Sequence, residues 1–103
     1  MSDEVTVTRN DAERQYEIAV DGELAGRLLF REVAPGRVVL PHTVIDPAFG
    51  GRGLGSTLAR EALTDLASRG DTIIPRCPFV AGWLRGHEVA GLKIDWPDDD
   101  EEQ

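Results

Sequence analysis

The feature that most constrains the fold is a change of hydrophobic period across a cluster of glycines in the middle of the 103-residue chain. Before the cluster, residues 38–45 form an almost continuous apolar and β-branched run, which is typical of an interior strand covered on both faces. After it, an apolar residue recurs at every fourth position and predicts the buried stripe of a helix that ends at Gly70. The stripe consists of Leu54, Leu58, Ala62 and Leu66, with Ala59 and Leu63 beside them. The chain therefore contains a strand, a glycine-rich turn and a helix in direct succession.

Pro41 stands inside the apolar run. A proline cannot donate to a strand ladder, so its presence in an interior strand predicts a bulge or a point at which neighbouring strands part. Asp46 and Pro47 then end the strand. We therefore expect this strand to be interrupted along its length.

A β-hairpin is predicted in the first third of the chain. Residues 16–20 alternate between apolar and other side chains, as in a strand with one buried face, and Asp21-Gly22 follows as a type I′ turn signal. On the return strand, alternate residues are expected to share one face. These are Leu24, Gly26, Leu28 and Phe30.

The remaining segments predict further strands and a second helix. Pro35-Gly36 is a turn signal, residues 72–75 form a short interior strand, and Pro78 suits the first position of a helix. Four residues would share one side of that helix, namely Phe79, Val80, Trp83 and Leu84. Residues 89–96 would add a last short strand or an irregular cover. The order predicts an α+β (mixed α/β) domain in which one parallel strand pair is joined by a crossover helix.

Composition limits the size and the class of the protein. A chain of this length suits one domain, which we assign to residues 1–94, while residues 95–103 read as an acidic, disordered tail. The net charge of −8 argues against a nucleic-acid partner, and no apolar stretch reaches the roughly 18 residues of a membrane span. The single cysteine excludes an internal disulfide, so we expect a cytoplasmic protein.

The glycine cluster, residues 50–55, indicates an anion site. Glycines between a strand and a helix leave backbone N–H groups unobstructed beside the positive end of the helix dipole, where phosphates bind. The chain is too short for a dinucleotide-binding fold. It also has Gly53-Leu54-Gly55-Ser56 where a Walker loop needs Gly-Lys-Ser/Thr.

The segment Gly50-Gly51-Arg52-Gly53-Leu54-Gly55 resembles the acetyl-CoA pyrophosphate loop of the GCN5-related N-acetyltransferases (GNAT), whose pattern is Gln/Arg-x-x-Gly-x-Gly/Ala at the start of a helix. Residues 41–47, residues 76–80 and the later Trp83, Arg85 and His87 are similar to a compact subgroup of that family. Together the resemblance spans residues 14–87. It implies a central, mostly antiparallel sheet with one splayed parallel strand pair and flanking helices.

Two departures from the family pattern concern the site. Gly50 replaces the Gln or Arg at the first position of the loop, which removes one side chain from phosphate binding. Val44 stands where the compact subgroup often has a glutamate, which removes a candidate base. Binding of the coenzyme depends on neither departure alone, whereas acyl transfer would have to proceed without this glutamate.

The resemblance implies a set of acetyl-CoA-binding residues. The pyrophosphate would rest on the loop amides, and the pantetheine arm would lie between the parted strands, where a backbone N–H polarises the thioester carbonyl. The set comprises Val44, Ile45, Gly50, Gly51, Arg52, Gly53, Leu54, Gly55 and Ser56. For Arg52, a solvated surface charge is an equally good interpretation.

Cys77 and His42 are the candidate catalytic residues. Cys77 precedes the second helix, a position at which the helix dipole favours a thiolate, although a free cysteine can equally be a packing residue. His42 shares the alternating pattern of Val38 and Leu40 and would be either a general base or an interior histidine bonded to the backbone. No residues have metal-ligand spacing, so no metal is expected.

The predicted function is transfer of acetyl from acetyl-CoA to a small or peptidyl amine. The alternatives are a non-catalytic acyl-CoA-binding or interaction module and a plain structural domain in which the glycines only form turns. The sequence leaves the acceptor and the oligomeric state open.

Overall fold

A computed structural model describes residues 4–97, and within that range no helix is long and apolar enough to cross a membrane. The fold is α+β, as predicted. The strands are β1 (Val5–Asn10), β2 (Gln15–Val20), β3 (Glu23–Leu29), β4 (Arg31–Ala34), β5 (Arg37–Leu40), β6 (Thr43–Ile45), β7 (Thr72–Pro75) and β8 (Lys93–Ile94). The helices are α1 (Leu54–Ser68) and α2 (Pro78–Gly86), and a short 3-10 helix, Pro47–Phe49, precedes α1.

The strands form two sheets, ordered β1-β2-β3-β6 and β4-β5-β7-β8. The first sheet is antiparallel throughout. In the second, β5 and β7 are parallel and α1 lies between them in the chain, which confirms the predicted crossover. A second parallel pair, β7 with β8, was not predicted, because β8 is too short to show a pattern in the sequence.

The apolar run is divided at Pro41 and His42 between the two sheets. β5 pairs with β4 and β7, whereas β6 pairs with β3. The junction is held by the N–H of Leu29, which donates to the carbonyl of His42 at 2.9 Å. The predicted interruption of the strand is therefore the point at which the chain passes from one sheet to the other.

The β2–β3 hairpin has the predicted turn but not the predicted alternation. Asp21 and Gly22 both have positive φ, of 52° and 85°, as a type I′ turn requires. Ile18 pairs with Gly26 while Ala19 pairs with Leu24, so Ala25 is the extra residue of a bulge. The bulge moves Leu24 to the other face, where it is 47% exposed, and buries Ala25. The prediction that Leu24 shares the buried face was wrong for this reason.

β1 is a strand that the sequence interpretation did not include. It pairs with β2 along its whole length, from Val5 opposite Val20 to Asn10 opposite Gln15. Val5 is exposed and only Val7 packs on the core, as is usual for an edge strand. Burial of so few side chains leaves little hydrophobic signal for prediction.

The core lies between the sheets and the two helices. α1 contributes the predicted stripe, including Ala59 and Leu63, and ends where Gly70 has the expected positive φ of 78°. The strands contribute Tyr16, Ile18, Leu28, Val38, Leu40 and Ile73. α2 adds Val80, Trp83 and Leu84. These contacts pack both helices against the sheets.

A polar cluster attaches α1 to the first sheet. The hydroxyl of Tyr16 donates to Asp65 at 2.5 Å, and Arg69 donates to the same carboxylate oxygen at 2.7 Å. Arg9 donates to the Tyr16 hydroxyl at 2.8 Å. Burial, and then the bond to Asp65, raises the pKa of Tyr16. Although partial burial opposes it, hydrogen bonds from Tyr16 and Arg69 lower the pKa of Asp65.

Candidate functional site

The parallel strands β5 and β7 remain paired only as far as Leu40 and Pro75. Just beyond, the N–H of Cys77 donates to the carbonyl of Leu40 at 2.8 Å. After this bond the chain of β5 continues into β6, which pairs with β3, while the chain of β7 turns into α2. The two paths therefore diverge and leave the second edge of β6 facing the start of α2.

The main-chain groups along that edge follow from the register. His42 and Asp46 both bond to β3, since His42 accepts from Leu29 and Asp46 donates to Ala25 at 2.8 Å. Alternate residues of a strand direct their N–H and C=O groups to opposite edges. The main-chain groups of Thr43 and Ile45 therefore point away from β3, toward the divergence. The sequence interpretation named Val44 and Ile45, but the main-chain groups of Val44 lie in the ladder with Arg27.

The loop between β6 and α1 is shaped by two glycines with positive φ. The side chain of Asp46 accepts from Ala48 N at 2.9 Å and starts the 3-10 helix. Gly51 and Gly53 then adopt φ of 80° and 74°, a conformation that costs other residues free energy. Gly53 is the N-cap of α1 and supplies no side-chain hydrogen bond. The first N–H groups of α1 are therefore directed outward, and no side chain of the cap residue accepts a hydrogen bond from them.

The other predicted loop residues differ in what they can offer a ligand. Leu54 is buried in the core, so only its main chain faces the loop. Gly50 is extended, and its N–H donates to Pro47 at 3.1 Å. Arg52 is exposed, with its guanidinium carbon 5.5 Å from the centre of the Phe49 ring. The loop therefore combines main-chain donors with one cation.

α2 contacts the start of α1 at Gly55 and Ser56. A β-carbon at Gly55 would lie 2.9 Å from the ring of Phe79, so only glycine allows this approach with the ring where it is. The indole N–H of Trp83 donates to the hydroxyl of Ser56 at 2.8 Å. Phe79 is 43% exposed and, like Trp83, lies on the side of α2 that faces α1. Its ring lies over the first turn of α1 and not in the core.

Cys77 and His42 are placed very differently. The Cys77 side chain is 3% exposed, and its thiol lies 3.3 Å from the hydroxyl of Thr43, at the point where the strands diverge. His42 is exposed, and the prediction of an interior side chain was wrong, because the break after Leu40 ends the alternation of β5. Thr43 was not singled out from the sequence, since its importance depends on a residue 34 positions away.

A comparison with known protein families shows the family to which the chain belongs. A family described as GCN5-related N-acetyl-transferase matches residues 15–91, about three-quarters of the chain. The chain belongs to the GCN5-related N-acetyltransferase family. The matched region of this GNAT domain includes β2 to α2 and therefore the whole of the site described above.

A solved structure supports the fold of this GNAT domain. The solution NMR structure of a GCN5-like protein from Staphylococcus aureus is similar to it with a TM-score of 0.67 and 17% sequence identity. The alignment covers 95% of this chain and 95% of that chain. At this identity the likeness concerns the fold. No curated protein matches the chain.

GNAT proteins typically use acetyl-CoA, and the residues at the loop suit that ligand. A pyrophosphate needs several converging N–H donors and little side-chain obstruction, which glycines at a helix N-terminus supply. The pantetheine arm carries amides, which need partners such as the outward-facing main chain of Thr43 and Ile45. Within residues 4–97, no group of three or more side chains could hold a metal ion.

Proposed function

We propose that this protein binds acetyl-CoA and transfers its acetyl group to an amine. The observation that carries the proposal is the position of the α1 N-terminus, capped by Gly53 in a left-handed conformation, beside the divergence of β6 from the β7–α2 segment. Phosphate donors and a free strand edge thus lie next to one another. An extended ligand with a diphosphate at one end and amides along its length fits both features.

In the proposed complex, the diphosphate accepts hydrogen bonds from the first N–H groups of α1, and Arg52 supplies a positive charge near it. The pantetheine amides pair with Thr43 and Ile45 as an added strand would. This alignment directs the thioester toward the closed end of the divergence, where Thr43 and Cys77 meet at 3.3 Å. Alignment of this kind lowers the entropic cost of the reaction.

The proposed reaction is direct attack. The neutral amine nitrogen forms a bond to the thioester carbon, and the carbon–sulfur bond breaks. The nitrogen loses one proton and CoA leaves as a thiolate, so the total charge is conserved. The N–H of Thr43 or Ile45 stabilises the negative charge that develops on the carbonyl oxygen. Cys77 would assist by donating a proton to the leaving thiolate, while its near-complete burial also fits a packing role.

A second candidate function, a non-catalytic acyl-CoA-binding module, is favoured by one observation. Val44, at the position where the compact subgroup often has glutamate, pairs across the strands with Arg27. Cross-strand partners lie on the same face of a sheet, so the charged residue directly opposite Val44 is a cation that cannot accept a proton. The base would then have to come from elsewhere or from the acceptor itself.

Isothermal titration with CoA and acetyl-CoA tests binding, and release of free thiol in the presence of acetyl-CoA and a panel of amines tests transfer. Micromolar binding with amine-dependent thiol release supports the acetyltransferase. Binding without release supports the module, and absence of binding contradicts both. A small or peptidyl amine as acceptor, exclusion of nucleic acid and membrane partners, and a cytoplasmic location remain part of the proposal.

A further inference from the structure

A groove with a volume of about 320 Å³ lies between α1 and the segment that begins in α2. α1 lines it with Arg60 and Thr64. The opposite wall contains Trp83, His87 and Glu88. The chemical step proposed above involves neither Arg60 nor His87.

The groove lies about one helical turn of α1 beyond the glycine loop. Successive contacts between the helices pair Gly55 with Phe79 and Ser56 with Trp83, so the two chains run in the same direction from the loop. Arg60 follows Ser56 by four residues and therefore lies about 6 Å further along the helix axis, on the same face. A ligand bound at the start of α1 can thus extend directly into the groove.

The groove contains a fixed aromatic pair. The rings of Trp83 and His87 are stacked with their centres 4.2 Å apart and their planes within 7° of parallel. A contact of 2.9 Å between His87 Nδ1 and the carbonyl of Trp83 holds the imidazole in place. Trp83 is buried whereas His87 is exposed, so the outer face of the imidazole is accessible. Such a face is suited to stacking against a planar heterocycle such as a purine.

The charges in the groove differ in how they are engaged. Arg60 is exposed and takes part in no ion pair, side-chain hydrogen bond or ring contact among residues 4–97. Arg85, in contrast, does not line the groove, and its guanidinium lies over Trp96 at 5.5 Å. Glu88 also lines the groove and opposes anion binding near its own carboxylate. A phosphate is therefore favoured at the α1 wall, close to Arg60.

We propose that this groove binds the adenosine 3′-phosphate end of CoA, with adenine on His87 and the 3′-phosphate at Arg60. The inference rests on the proposed function, because it requires the diphosphate at the start of α1. In CoA one ribose separates the diphosphate from the 3′-phosphate, and in the protein one helical turn separates Ser56 from Arg60. Arg60 is then a determinant of coenzyme specificity with no part in the chemical step.

The 3′-phosphate is tested by titration of the protein with CoA and with 3′-dephospho-CoA. The parent should bind CoA about tenfold more tightly, as expected for one charge-assisted contact. Arg60→Ala should bind both ligands equally and still bind dephospho-CoA like the parent, whereas the control Arg85→Ala should keep the preference. Equal binding of the two ligands by the parent, or an unchanged preference in Arg60→Ala, would overturn the inference.

The adenine is tested by tryptophan fluorescence. The chain contains two tryptophans, so Trp96→Phe leaves Trp83 as the only reporter. CoA should change its emission, and 4′-phosphopantetheine, which lacks adenosine, should not. His87→Ala should weaken CoA binding, and His87→Phe should restore it. An identical response to both ligands would place the adenine elsewhere.

If neither ligand binds in any assay, the proposed function itself fails. CoA-dependent acetyl transfer without selectivity for the 3′-phosphate or the adenine contradicts only the proposed role of the groove.

Discussion

The thiol of Cys77 and the hydroxyl of Thr43 lie 3.3 Å apart, although 34 positions separate them in the chain. The contact joins β6 to the residue before α2, directly beyond the last backbone bond between the parallel strands. It therefore marks the closed end of the divergence in which we place the thioester.

Cys77→Ala should lower the rate of acetyl transfer more than it lowers affinity for CoA. The reason is that the thiol is expected near the reacting sulfur and not near the phosphates. Initial rates of thiol release and isothermal titration of the same preparation measure the two effects. Thr43→Val, which removes the hydroxyl while keeping the size of the side chain, should give a smaller loss of rate. Turnover of Cys77→Ala equal to that of the parent would exclude the cysteine from the mechanism.

Gly53→Ala should weaken CoA binding. Its φ of 74° costs a residue with a β-carbon about 1–2 kcal/mol, so the loop would relax away from the geometry that directs the α1 amides outward. Gly36 has the same φ of 74°, in the turn between β4 and β5, and a β-carbon there meets no atom within 4 Å. Gly36→Ala should therefore lower the free energy of unfolding in urea by a similar amount. Its affinity for CoA should equal that of the parent. Equal CoA affinity of the two variants would refute the assigned role of Gly53.

Gly26→Ala should destabilise the fold and disturb the site together. A β-carbon at Gly26 would lie 2.5 Å from Cδ1 of Ile45 and 2.7 Å from the carbonyl oxygen of Val44. The backbone oxygen cannot move without displacing β6, so we expect a loss of about 1–3 kcal/mol in the free energy of unfolding. The matched control is Gly82→Ala, in the exposed middle of α2, which should gain up to about 1 kcal/mol. Urea unfolding measures both, and a Gly26→Ala variant as stable as the parent would show that β3 and β6 are not so closely paired.

Stability should decrease at acidic pH partly through Asp65. Its pKa in the folded protein is lowered from the unfolded value of about 4. A carboxyl group with a lowered folded pKa stabilises the fold above its unfolded pKa, and that contribution is lost as the pH falls through the folded pKa. Asp65→Asn should therefore be less stable than the parent at pH 7 and approach the stability of the parent as the pH falls below the unfolded pKa.

The measurement for Asp65 is the free energy of unfolding between neutral and acidic pH. Glu61→Gln removes an exposed carboxylate from the same helix and serves as the control, with a pH profile close to that of the parent. A parallel shift of the Asp65→Asn profile at all pH values would show that the carboxylate charge does not contribute through the Tyr16 and Arg69 bonds.

The local elements were determined by the sequence. The type I′ turn at Asp21-Gly22, the stripe of α1 and its termination at Gly70 all follow from backbone preferences and helical periodicity, which act within a few residues. The interruption at Pro41 follows from the missing N–H. The glycine loop also pointed to the family, because its chemistry is a property of the main chain.

The tertiary structure decided which of these residues meet. The bulge at Ala25, the exposure of Leu24 and His42, and the position of Phe79 over Gly55 depend on how the sheets divide and how α2 docks. The Cys77–Thr43 contact and the bond from Trp83 to Ser56 also join distant segments. Short-range patterns carry no information about such pairs, since the free energy that selects them comes from packing of the complete core.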